Sequence, residues 1–329
     1  MSIKTLDKLV ICHIDCSIWS GRKKLRPEDF RLGDGSQLPP KDVASLGSKK
    51  ICDPEALSHF DRLKKEAYRH CDQVGIRFLG GFAIPEDKID QVTPELERIG
   101  QAFSQCRQEF LKNYDQVTQD WVSKHPGFAE SIRRAIAPVD DVAQKLSFDY
   151  AIYRMKPAAE SGDLTDKVNS MGHTLFKEIA RDANELFERS IAGKDQISQR
   201  SLNPIRKIRD KLDGLAFLDH RVQPVVTTMD GILQRLPKTG AIVGALYHEL
   251  LATVLILSDP DKIQRHGEGQ LNLDDMIQLP SSVTPEENFA QAVSQPTTHI
   301  AAPSTTQQTA LQTIPASPAQ TTDPSSFYF

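Results

Sequence analysis

Leu9-Val10-Ile11-Cys12-His13-Ile14-Asp15-Cys16-Ser17-Ile18-Trp19 alternates along its whole length. Val10, Cys12, Ile14, Cys16 and Ile18 fall on one face of an extended chain; Leu9, Ile11, His13, Asp15, Ser17 and Trp19 fall on the other. Period-two placement of β-branched residues predicts a half-buried strand. Ile76 to Pro85 reads as a second strand, with Ile76, Phe78, Phe82 and Ile84 on one face and a bulge at Gly80-Gly81. Phe148 to Met155 reads as a third, with Phe148, Tyr150 and Ile152 opposite Ala151 and Tyr153. A small three-stranded sheet near one end of the molecule is therefore expected.

The residues around these strands are helical in pattern. Gly33-Asp34-Gly35 and Pro39-Pro40 break the chain after the first strand. Asp53-Pro54-Glu55 then supplies a cap, a first-turn proline and an acid at the positive end of the dipole. Leu57, Phe60, Lys64, Ala67, Cys71 and Val74 follow at three- and four-residue steps, with Gly75 as the stop. Thr93-Pro94-Glu95 repeats the start signal. A heptad-like stripe of Leu96, Ile99, Phe103, Cys106, Phe110, Val117 and Trp121 runs to about His125, with Asn113 or Tyr114 filling its gap. One continuous helix there spans about 45 Å and predicts coiled-coil-like packing, within the chain or with a partner. Shorter helices are expected over residues 128–137 and 139–146. Further stripes cover Leu164 to Leu186, Leu202 to Leu218, Val222 to Leu236 and Ala241 to Leu257, joined by short links that favour antiparallel neighbours. The fold class is α+β and predominantly helical. Residues 1–158 form an α+β domain, 159–262 a helical bundle region, and 263–329 a flexible, acidic, core-less tail.

Charge sharpens the picture of the tail. The chain carries a formal −4. Leu271 to Phe329 holds Asp274, Asp275, Glu286, Glu287 and Asp323 with no Lys or Arg, hence −5, which leaves +1 for residues 1–270. A nearly neutral body is not the footprint of a dedicated nucleic-acid binder. The tail is rich in Ser, Thr, Pro, Gln and Ala, too polar to offset an ordering cost of about 1–2 kcal/mol per residue. Its last residues, Phe327, Tyr328 and Phe329, depart from that composition and suit a short docking peptide.

The chemistry expected of these residues is sparse. The five cysteines, Cys12, Cys16, Cys52, Cys71 and Cys106, make no disulfide framework. Met1 to Asp7 lacks the apolar run of a secretory signal, and a cytoplasmic protein is expected. Cys12-His13-Ile14-Asp15-Cys16 is the most metal-like cluster, but a strand points His13 away from both thiols and no second pair completes four ligands. His70-Cys71 are helix neighbours that do not face each other, and Cys71 belongs to the apolar stripe. Gly33-Asp34-Gly35 and Gly80-Gly81 match neither a phosphate loop nor a dinucleotide fingerprint. Asp140-Asp141 is expected to decorate a helix start. No catalytic, cofactor or metal residue is assigned. Arg206, Lys207, Arg209 and Lys211 give one helix a basic face, the weak nucleic-acid candidate.

Leu6-Asp7-Lys8-Leu9-Val10, the Gly75-Ile76-Arg77-Phe78-Leu79-Gly80-Gly81 segment and the long helix together resemble an uncharacterised bacterial family, a domain of unknown function found on phages, plasmids and integrated elements. The resemblance covers most of the body and not the tail. The family's genes often lie beside a MoxR-type AAA+ ATPase and a von Willebrand A-domain protein. What this implies is an accessory role with an ATPase machine, and the family supplies no catalytic residues. The leading expectation is a non-enzymatic assembly or adaptor protein, with its long helices as the surface for homo-oligomerisation. The alternatives are a helical membrane-inserting or pore-forming protein built around Ala241 to Leu257, and a nucleic-acid-binding accessory factor.

Overall fold

The computed structural model describes residues 3–26, 29, 46–156 and 162–273. Their elements run in the order β1 (Leu9–Ser17), β2 (Arg22–Lys24), β3 (Ser48–Lys50), α1 (Ser58–Val74), β4 (Ile76–Phe78), β5 (Gly81–Pro85), α2 (Ile89–Lys112), α3 (Tyr114–Lys124), α4 (Ala129–Arg133), α5 (Val139–Ala143) and β6 (Ser147–Tyr153). Helices α6 (Gly162–Asn169), α7 (Met171–Leu186), α8 (Leu202–Gly214), α9 (Val222–Arg235), α10 (Gly244–Leu257) and α11 (Pro260–Gly267) follow. The chain is mostly helical around a small antiparallel sheet, as the sequence suggests.

That sheet has four strands, not three, in the order β4-β5-β1-β6. The extra strand comes from Gly80. Phe78 pairs with Gly81 across a two-residue turn, and both turn residues are left-handed, Leu79 at φ 46° and Gly80 at φ 83°. Such a turn reverses the chain with the twist that a hairpin needs. What reads as one bulged strand is thus a hairpin, and the faces change with it. Cross-strand partners share a face, so Ile76 goes with Ala83, while Phe82 and Ile84 point the other way.

The two faces build two cores. Val10, Cys12, Ile14, Phe82 and Ile84 pack against Phe60, Ala67 and Cys71 of α1 and Leu96, Ile99 and Phe103 of α2. Leu9, Ile11, Ile76, Phe78 and Ala83 pack with Leu175, Phe176 and Ile179 of α7 and with residues of α8 to α11. The sheet is therefore a middle layer between helices and not a feature at one end. The half-buried alternation of β1 holds only past Cys12, where His13 and Asp15 are exposed. Gly75 ends α1 in an extended conformation, and a Cβ there would lie 2.7 Å from the Ala83 carbonyl oxygen. Close passage against β5 requires glycine at this point.

Two expected boundaries move. The long helix starts at Ile89, so Pro94 lies inside it, and it breaks at Asn113 (φ −101°, ψ 8°) before α3. Its stripe is buried by its own chain: Leu96, Ile99, Phe103 and Phe110 are all covered. The body also extends beyond Lys262. Asp259 caps α11 by accepting from the backbone N–H of Asp261 and Lys262, and Ile263 is fully buried among α7, α9 and α10. A tail beginning at Ile263 is therefore too early by about one short helix. Residues 274–329, including Phe327, Tyr328 and Phe329, lie outside the described residues. Tyr247, Leu250, Val254 and Leu257 of α10 are core residues, and no described helix is long and apolar enough to cross a membrane.

Candidate functional site

The end of α1, the end of α7 and the middle of α8 frame a cleft of about 480 Å³. Lys211 lines its floor and belongs to a buried ion pair: Lys211 Nζ lies 2.8 Å from Glu178 Oε2, with side chains only 2% and 8% exposed. The pair is well supplied with hydrogen bonds. Lys211 Nζ also donates to the Asp72 carbonyl at 2.6 Å, and Glu178 Oε1 accepts from the Arg77 backbone N–H at 3.0 Å. These bonds tie α1, β4, α7 and α8 together at one point. Buried charges need this degree of pairing, because each is costly to remove from water.

The walls of the cleft are arginine-rich. Arg181 bridges Asp72 and Asp182 at 2.8 and 2.9 Å, and Arg189 meets Glu185 at 2.6 Å. Arg69 is exposed and has no ionic partner among the described residues. Lys207 faces Gln73 at 3.4 Å. Asp72 Oδ1 is buried without a hydrogen-bond partner, with Arg77 Nε 3.8 Å away. No nucleophile is held against a base in this cleft. It presents both basic and acidic side chains, with Arg69, Arg181, Arg189 and Lys207 beside Asp72, Asp182 and Glu185.

The four basic residues of α8 do not form one face. Positions 207 and 211 lie one turn apart on a helix, as do 206 and 209, and the two sets diverge. Lys211 points into the floor, and Lys207 toward the cleft. Arg209 grips Asp230 of α9 with two bonds of 2.8 Å and meets Asp213 at 3.2 Å. That grip holds the Asp230 carboxyl below its usual range. Arg206 reaches Asn203, at 3.5 Å.

The cysteines behave as packing residues. Cys12 Sγ and Cys71 Sγ are 3.9 Å apart, both fully buried, while His13 is exposed on the opposite face of β1. The shared contact and burial push the Cys71 thiol up. His70 faces outward and reaches the Gln91 carbonyl at 3.2 Å. Asp140 and Asp141 occupy the first turn of α5. Among the described residues no group of three or more His, Cys, Asp or Glu side chains is gathered as for a metal ion.

A second surface had no counterpart in the motif reading. Strands β2 and β3 pair as a separate two-stranded ribbon, Arg22-Lys23-Lys24 against Ser48-Lys49-Lys50. Lys49 Nζ contacts Asp29 Oδ1 at 2.5 Å and Ser131 Oγ at 2.9 Å, and Ser131 Oγ donates to the same carboxylate oxygen. Burial alone raises the Asp29 carboxyl, but these bonds and one from the Arg26 backbone N–H hold it well below the usual carboxylate range. Lys49 Nζ and Ser131 Oγ thus converge on one carboxylate oxygen. Beside the ribbon, Leu25, Trp121, His125, Phe128 and Ile132 line an apolar hollow of about 370 Å³. The sequence signal for this surface was two basic doublets flanking a loop, Lys23-Lys24 and Lys49-Lys50.

No curated protein matches the chain, and no solved structure does. A family described as "Protein of unknown function (DUF3150)" matches residues 6–259. That span takes in every described element from β1 to α10, which agrees with the resemblance to an uncharacterised domain family. The chain belongs to the DUF3150 family of proteins of unknown function.

Proposed function

We propose that this protein is a non-enzymatic adaptor: an accessory component of a mobile-element system that works in the cytoplasm with a MoxR-type AAA+ ATPase and a von Willebrand A-domain protein. The observation that carries the adaptor reading is the cleft between α1, α7 and α8. Exposed Arg69, Arg181 and Arg189 stand on its walls above the Lys211–Glu178 pair. Arginine is among the residues enriched at interface hot spots, and a floor already fixed by buried bonds lowers the ordering cost of docking. The mobile-element setting and the named partners rest on the resemblance alone. A coiled-coil contact with a second copy would need a face other than the Leu96–Phe110 stripe, which the chain covers itself. Phe327, Tyr328 and Phe329 remain a second docking element of the proposal.

The test is affinity purification of the full chain from its host, with the ATPase followed by mass spectrometry. Wild-type protein is expected to bring it down, and the double variant Arg69→Ala, Arg189→Ala to lose it. Equal recovery with both proteins, or no ATPase with either, refutes the reading. Alanine at Phe327, Tyr328 and Phe329 separately measures the contribution of that end.

A further inference from the structure

Ribbon β2–β3 sets Arg22 opposite Lys50 and Lys23 opposite Lys49. Like charges directly across a strand pair repel, so fold stability does not explain this choice of residues. Arg26 extends the run beyond β2. Asp29 engages Lys49, whereas Arg22, Lys23, Lys24, Arg26 and Lys50 have no ionic partner among the described residues. Four cations on the ribbon and Arg26 beside it, without an ionic partner among the described residues, make a local anion field that the near-neutral charge of residues 1–270 conceals.

Three hollows border the ribbon and share its residues. Arg22 and Lys50 line one with Lys64; Lys23, Lys24, Arg26 and Lys49 line the next with Arg134. Lys49 and Lys50 line the third, whose wall is aromatic. There Trp121 is fixed by a bond of 3.2 Å from its Nε1 to the Lys50 carbonyl, and its ring lies 4.3 Å from that of His125. Phe128 stands 67% exposed beside them, the most exposed of the large hydrophobic side chains among the described residues. Asp61 lines the first hollow and Asp29, engaged by Lys49, the other two; basic side chains outnumber these acids in the first two hollows, and the third adds a flat apolar wall.

We infer that the β2–β3 ribbon and the Trp121–Phe128 hollow form a binding site for single-stranded nucleic acid. The phosphates lie on Arg22, Lys23, Lys24, Arg26 and Lys50, and an unpaired base enters the hollow against Phe128 and Trp121. Cationic grooves with aromatic platforms bind single strands with little sequence preference. A duplex keeps its bases stacked and offers the hollow nothing, so the single strand binds more tightly. This site is separate from the arginine-walled cleft and stands or falls without it.

Fluorescence anisotropy of labelled oligothymidylate of about 20 nucleotides with the full chain tests the inference. Binding is expected at about 50 mM salt, falling steeply with a log–log slope of roughly −3.5 for five neutralised phosphates. Lys24→Glu with Arg26→Glu reduces affinity at least about tenfold. Phe128→Ala reduces single-strand binding severalfold and leaves binding of heparin, which has no base, unchanged. Both variants change exposed side chains, and their unfolding midpoints report whether the fold is intact. Absence of binding at low salt overturns the inference. So does displacement of the oligonucleotide by polyglutamate as effective as by unlabelled oligonucleotide, together with no effect of Phe128→Ala, which marks the face as a dock for an acidic protein.

Discussion

Replacing Lys211 by Met tests whether the cleft floor is sealed. Met retains the length and apolar stem of Lys and removes only the ammonium. Glu178 is then left 8% exposed, with the Arg77 backbone N–H as its remaining bond and no opposite charge on Oε2. Breaking one side of a buried pair typically costs about 3–5 kcal/mol, because the remaining charge is uncompensated. That is a large part of a typical stability of about 5–15 kcal/mol. With a urea slope of about 3 kcal/mol/M, the midpoint falls by roughly 1–1.7 M. The companion change Glu178→Gln keeps an oxygen for the Arg77 N–H and removes the stranded charge. Combined with Lys211→Met, it is expected to recover at least about half of the loss, a coupling of roughly 2 kcal/mol. Urea unfolding of the four proteins, followed by far-ultraviolet circular dichroism, closes the cycle. A Lys211→Met protein within about 1 kcal/mol of wild type means that water reaches Glu178, and the rigid-floor argument fails.

Three other outcomes follow from the geometry. Leu79→Asn is expected to stabilise by about 0.5–1 kcal/mol in the same unfolding assay, because Asn tolerates φ 46° and Asn-Gly favours this turn; a loss instead rejects the left-handed hairpin. Burial pushes the Asp219 carboxyl up, but the Arg221 guanidinium, at 2.8 and 3.0 Å, and the Arg221 backbone N–H more than offset it, so its pKa is lowered in the fold. Its contribution is therefore full at neutral pH and lost as pH falls below about 4; Asp219→Asn is less stable than wild type by ~1–2 kcal/mol at pH 7, and the gap narrows in acid. A gap that is constant from pH 7 to about 3 excludes this linkage. Finally, Cys12 and Cys71 are fully buried and Cys16 and Cys106 only partly, so a thiol reagent is expected to label the second pair in native protein and the first only on unfolding, as read by peptide mass spectrometry.

Much of this fold is legible in sequence where one residue period has one cause. The alternation of β1 past Cys12, the cap at Asp53 and the stripe of α1 are of this kind, and Asp53 Oδ1 does accept from the Glu55 N–H at 3.1 Å. The hairpin was harder. Leu79-Gly80 lacks the Asn-Gly or Asp-Gly signature, and apolar residues at every second position continue straight across it. Reading through a two-residue turn inverts the face of every residue beyond it, so the second core on the sheet was missed. The break in the long helix left a trace, since the stripe had no apolar residue at Asn113. The boundary at Ile263 failed because composition averages over a window wider than α11. Asp259-Pro260-Asp261 repeats the cap-proline-acid signature of Asp53-Pro54-Glu55, and it opens a helix here too.

The candidate surfaces were less legible because a run of cations has no meaning until its partners are placed. Arg206, Lys207, Arg209 and Lys211 are dense in sequence, yet the structure engages two of them internally: Arg209 with Asp230, and Lys211 with Glu178. Neither carboxylate is near its partner in the chain, so no local reading could discount those charges. Arg22, Lys23 and Lys24 are shorter as a run and lie about two dozen residues from Lys49 and Lys50. Only antiparallel pairing makes them one patch, and only the absence of acids opposite them among the described residues leaves that patch uncompensated. Net charge is blind to the difference, since it sums over residues without regard to distance, whereas attraction falls with separation and screening. A chain of −4 can therefore carry a cationic ribbon whose field reaches about a Debye length, and where such a patch lies is set by pairing geometry.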